Sequence, residues 1–148
     1  MKKLLMLLLL AFLVTACSHK ETESVQPKED EMIIQYIIES EEICRVDFVS
    51  DLNGKYLRMG GFADFDRKTL KGNNDIYISY SHQDIELNKE WDNGALFEGI
   101  ITQHLHLYDK NEDEIAVIDN LTIPVEPGTV KKIIIEKEGN DYVAMSTT

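Results

Sequence analysis

His104 and His106 stand two apart in the run Ile101-Thr102-Gln103-His104-Leu105-His106-Leu107-Tyr108. On a strand, side chains two apart share a face, so both imidazoles can reach one metal ion. A complete site wants a third ligand, and His82 and Asp84 are the nearest candidates by type. The same spacing also describes an ordinary amphipathic strand, with Thr102, His104, His106 and Tyr108 solvated and Ile101, Leu105 and Leu107 in the core. Just beyond, Asp109-Lys110-Asn111-Glu112-Asp113 has the D-x-N-x-D opening of a calcium loop. That motif needs Gly at its sixth position and a bidentate Glu at its twelfth. Here those positions hold Glu114 and Asn120, so a polar hairpin loop is expected instead.

Cys17 and Cys44 are the two thiols of the chain. In Ile43-Cys44-Arg45-Val46-Asp47-Phe48, alternation groups Cys44 with Val46 and Phe48, which predicts a small buried apolar residue. Acid pairs such as Asp64/Asp66 would suit glycoside hydrolysis, yet a chain with 27 acidic residues brings such neighbours together by chance. No nucleophile elbow, zinc-protease helix, phosphate loop or dinucleotide fingerprint is present. The expectation is a protein that is not an enzyme and has no cofactor.

The elements that must carry these side chains are strands. Residues 32–39 and 43–49 are rich in isoleucine, valine and aromatics, and Asp51-Leu52-Asn53-Gly54 supplies a hairpin turn. A return strand over 55–59 should break at Gly60-Gly61. Residues 75–81 form another candidate, and 84–91 alternate so regularly that a half-buried strand is predicted there. After the turn Asp92-Asn93-Gly94, a long strand over 95–108 is expected, with a bend at Gly99. Strands over 115–118, 121–125, 130–136 and 142–145 complete the set, with turns at Pro127-Gly128 and Gly139-Asn140. Short strands at this spacing predict an all-β chain, a sandwich or a barrel of eight to ten strands. Residues 62–74 read poorly.

The N-terminus is of a different kind. Lys2 and Lys3 precede an apolar run over residues 4–14, which is shorter than the roughly 20 residues that span a bilayer core. It has the form of a secretory signal peptide. Val14-Thr15-Ala16-Cys17, at its end, resembles the lipobox of bacterial lipoproteins. The resemblance implies cleavage before Cys17, a diacylglyceryl group on its thiol, and anchoring in a membrane by acyl chains; two or more chains hold stably. Residues 18–31 are charged and almost devoid of apolar side chains, as befits a flexible spacer. The expected organisation is therefore a signal peptide at 1–16, a lipidated cysteine and tether at 17–31, and a β-sandwich domain at 32–148. The implied location is the bacterial cell envelope. Ser18 stands where an aspartate would resemble an inner-membrane retention signal, which favours the outer membrane.

Charge narrows the partners. The formal net charge is −12, and removal of residues 1–16, which carry two lysines and no acid, makes it −14. Such a chain repels nucleic acid and anionic head groups. His106-Leu107-Tyr108-Asp109-Lys110, followed by Ile123-Pro124-Val125 and a closing strand, resembles the C-terminal strands of fimbrillin-type lipoproteins of Bacteroidetes; this favours the sandwich over the barrel, a small antiparallel β-sandwich, Ig-like or transthyretin-like, of about eight strands. Residues 75–84 resemble the opening strand of Toll/interleukin-1 receptor domains, but the alternating helices and parallel strands of that family do not follow. The leading expectation is a lipid-anchored envelope protein that binds or assembles with a protein or glycan. Two alternatives are an acidic inhibitor that captures a basic envelope enzyme, and a metal-dependent activity at His104/His106.

Overall fold

The fold is a two-layer β-sandwich. A computed structural model describes residues 25–63, 75–92 and 94–147. The expected signal peptide, Cys17, most of the expected tether and Asp64/Asp66 lie outside the described residues. Among the described residues no helix is long and apolar enough to cross a membrane.

Among the described residues there are eight strands: β1 (Glu31–Ile38), β2 (Arg45–Leu52), β3 (Lys55–Ala63), β4 (Asp75–Ser81), β5 (Ile100–Tyr108), β6 (Glu114–Pro124), β7 (Val130–Glu138) and β8 (Asp141–Thr147). One short helix, α1 (His82–Glu86), follows β4. The first sheet has the order β4-β1-β7-β8 and the second β3-β2-β5-β6. All pairings are antiparallel except β1–β7, which is parallel. β1 is central in its sheet, and its Met32-Ile33-Ile34-Gln35-Tyr36 is buried without interruption. A strand covered on both faces needs no polar alternation.

β2 shows the opposite pattern. Val46, Phe48, Ser50 and Leu52 face inward, and the residues between them are half-exposed. The chain turns at Asn53 and Gly54, with φ of 53° and 77°, the left-handed pair that a two-residue hairpin requires. The core is completed by Leu57, Tyr80, Ile101, Leu105, Leu107, Ile123, Ile133 and Ile135.

Four sequence expectations are corrected. β3 does not break at Gly60-Gly61; it runs on to Ala63. The ring of Phe48 lies where a Cβ on Gly60 would sit, 2.7 Å from Cζ, and the Asp47 carboxylate lies over Gly61. The glycines admit their cross-strand neighbours instead of ending the strand. The long strand expected from Ala95 begins only at Ile100, after Gly99 at φ 107°. The two strands expected over 115–125 are one, bent by a bulge at Asn120. Residues 84–91 are not a strand at all. Ser81 caps α1 by accepting from the Gln83 N–H at 3.2 Å, and Asp84 accepts from the Ser81 N–H at 2.8 Å. These local side-chain bonds outcompete the extended backbone. Ile85 is buried while Leu87 is 74% exposed, so the apparent apolar face does not exist.

The segment after α1 seals one side of the sandwich. Asn88 donates to the carbonyls of Tyr56 and Leu57, at 3.0 and 3.2 Å, and Trp91 Nε1 donates to Tyr56 at 2.8 Å. Arg58 reaches from β3 to the Ser79 carbonyl of β4 and to Asp84, both at 3.0 Å. Carbonyls of both edge strands are thus occupied by side chains, which blocks further strand pairing there.

Candidate functional site

The sandwich has two unlike ends. Where β1 begins, the turns after β2, β6 and α1 pack closely. Asn53 donates to the Glu98 carbonyl at 2.8 Å and accepts from the Ile100 N–H at 2.9 Å, and Val125 N–H reaches Gly99. At the other end a cleft of about 600 Å³ opens between the β1–β2, β5–β6 and β7–β8 connections. Its lining includes Glu41, Glu42, Cys44, Lys110, Ile115 and Tyr142. That volume falls in the range of small-ligand sites.

One wall of the cleft is a clamp. Glu42 Oε2 accepts from Lys137 Nζ at 2.7 Å and from the Tyr142 hydroxyl, so the β1–β2 loop is fastened to the β7–β8 hairpin. These hydrogen bonds, first from Lys137 and then from Tyr142, hold the Glu42 carboxyl below the ordinary value. The bond to Glu42 raises Lys137. Partial burial, then the Glu42 carboxylate, raises the Tyr142 phenol. At neutral pH the three groups therefore stay ionised, ionised and neutral respectively. None is tuned toward the pH at which a general acid or base works best.

The opposite wall is the β5–β6 loop. Asp109 Oδ1 accepts from the N–H groups of Asn111 and Asp113 at 2.7 and 3.1 Å. The calcium-like opening thus uses its first carboxylate to close its own turn. Cys44 corrects another expectation: it is half-exposed in the cleft, not buried. β2 starts at Arg45, so Cys44 lies outside the alternation, and Ile43 is the residue that fills the core. Arg45 stacks on Tyr108, 4.0 Å from the ring centre.

His104 and His106 occupy the outer face of the second sheet. Their Nδ1 atoms lie 2.9 Å from Asp119 and 2.9 Å from Glu114, both on β6. His82 and Asp84 are not their neighbours: both sit in α1, where His82 faces Glu86 and Asp84 faces Arg58. Among the described residues no group of three or more His, Cys, Asp and Glu is placed to hold a metal ion by itself.

A buried polar cluster was not anticipated. Tyr36 donates to Gln103 Oε1, Gln103 Nε2 donates to the Tyr80 hydroxyl at 2.7 Å, and Ser50 and Tyr80 hydroxyls meet at 2.8 Å. It joins β1 and β4 of one sheet to β2 and β5 of the other. Burial raises the Tyr36 phenol well above 10 and the Tyr80 phenol to about 12. The readable signal was a polar residue at an inward position of two alternating strands, Ser50 on β2 and Gln103 on β5. For Glu42, Lys137 and Tyr142 the sequence carries no such signal, since Glu42 and Tyr142 are 100 residues apart.

No protein-family model matches the chain, and no curated protein matches it.

Proposed function

We propose that this protein is a lipid-anchored binding module of the bacterial cell envelope, held by Cys17 and presenting its end cleft away from the membrane. The observation that carries the reading is the placement of that cleft. The tether reaches the domain at Glu31, and β1 then crosses its length, roughly 23 Å at about 3.3 Å per residue. The cleft opens at the far end, where β1 stops at Ile38. A domain hung from its N-terminus would point this end outward.

A non-catalytic role is supported by the fixed protonation of the clamp and by the mixed lining. Polar groups and the Tyr142 ring can orient a protein or glycan partner without activating it. The acidic-inhibitor alternative draws on the net charge, but the cleft gives it little: Glu42 and Asp109 already accept hydrogen bonds from Lys137, Tyr142 and the loop backbone.

Two measurements test the reading. Cys17→Ala should move the protein from the detergent-soluble membrane fraction to the aqueous fraction; unchanged partition would remove the anchor. A photo-crosslinking residue at Asn140, beside the cleft, should capture envelope material in intact cells, while the same residue at Asn53 should not. Equal capture at both ends would remove the cleft from the proposal.

A further inference from the structure

We propose that His104 and His106 chelate a divalent transition-metal ion on the outer face of the second sheet, with Cu(II) the most tightly held. Both rings are 31–37% exposed and stand two apart on one face of β5. Each Nδ1 is taken up by a carboxylate at 2.9 Å. In the neutral ring this places the proton on Nδ1 and leaves the Nε2 lone pair available. A carboxylate on the remote ring nitrogen is the usual support of a metal-bound histidine, because it sets the tautomer and raises ligand basicity.

The carboxylates are delivered by irregularities of β6. The register slips between Gln103 and Leu105, so that Asp119 and Asn120 together oppose His104, with Asn120 at φ 59°. It slips again between Leu107 and Tyr108, which brings Glu114 level with Tyr108 and within reach of His106. Bulges re-aim side chains, and they occur both at sheet edges, as β6 is, and beside functional sites.

The protein supplies two nitrogen donors and water completes the shell. Mixed nitrogen and oxygen donors with open positions suit tetragonal Cu(II) or Ni(II), and Cu(II) leads the affinity order. Asp47, paired in register with His106, adds a negative charge on the same face.

The test uses the full chain in detergent, carrying His19→Ala and His82→Ala so that only this pair of histidines remains. Cu(II) is titrated calorimetrically, and electron paramagnetic resonance counts the coordinated nitrogens. One ion per chain with two imidazole nitrogens is expected. Further substitution of His104→Ala or His106→Ala should abolish that signature. Asp119→Ala and Glu114→Ala should each weaken binding about ten- to a hundredfold. Thermal melts confirm that each variant folds. Absence of stoichiometric Cu(II), or binding that survives loss of both histidines, overturns the site. Unchanged affinity in Asp119→Ala and Glu114→Ala also overturns it, because the pair would then be a chance chelate without built support.

Discussion

Two clusters in this protein use the same chemistry in opposite surroundings. Tyr36, Gln103, Tyr80 and Ser50 form hydrogen bonds in the dry centre of the sandwich. Glu42, Lys137 and Tyr142 form hydrogen bonds, with full charges, at the rim of the cleft. The charged cluster is the stronger on paper, yet the neutral one should matter more to stability. In water each charge of the clamp already has good partners, so pairing gains little. In the core, a hydroxyl that loses its partner finds no replacement, and the full desolvation cost appears. The buried cluster therefore locks the two sheets together, whereas the clamp sets the shape of one loop.

The comparison can be broken most directly at Gln103. Gln103→Leu keeps the volume but removes the acceptor of the Tyr36 hydroxyl and a donor to Tyr80, and should lower the unfolding free energy by about 2–3 kcal/mol. Urea denaturation measures it, and a loss near zero would mean that the cluster does not couple the sheets. Tyr36→Phe removes one donor and should cost about 1–2 kcal/mol. Combined with Gln103→Leu, the total should be clearly less than the sum, since both changes remove the same hydrogen bond.

Alkaline pH sharpens the contrast. The folded pKa of Tyr80, about 12, lies above the ordinary 10. The folded state thus holds this proton more tightly than the unfolded state. Its contribution is fully present below pH 10 and is lost as pH rises through 12. Stability should fall steeply above pH 10, and Tyr80→Phe should blunt that slope.

The smallest expected effects belong to the clamp. Lys137→Ala or Glu42→Gln should leave the unfolding midpoint unchanged within error. Either change should nonetheless raise the reactivity of the Cys44 thiol, which lines the same cleft, severalfold toward a disulfide reagent. Acid should do the same: Glu42 is held below 4.5, so the clamp is intact above pH 4.5 and is released as pH falls through its folded value. A pyridyl disulfide, active in acid, reads the release. Constant reactivity from pH 6 to pH 3 would show that Glu42 does not control the loop.

Legibility in the sequence followed the range of the interactions involved. β2 and its Asn53-Gly54 turn were readable because alternation and positive φ are local properties. α1 was misread although its signal was present: Ser81 and Asp84 stand at capping-box spacing, but the alternation of residues 84–91 matched a strand equally well. Gly60-Gly61 looked like a break because the ring of Phe48, which occupies their missing side-chain space, comes from another strand. The His104/His106 spacing was visible, but their partners Asp119 and Glu114 depend on two bulges that no pattern of β6 announced.

Taken alone, the sequence determined an all-β chain of short strands. It also determined an acidic surface and a histidine pair on one strand face. These follow from composition and from the period of two, which each segment expresses without its neighbours. Tertiary structure alone decided the parallel β1–β7 pair, the bond from Tyr36 to Gln103 across the core and the cleft closed by Glu42 and Tyr142. Those features join residues 67 to 100 positions apart, or set strands side by side. Such neighbours are chosen by the packing of the whole sandwich, where burial sets the energy of each contact.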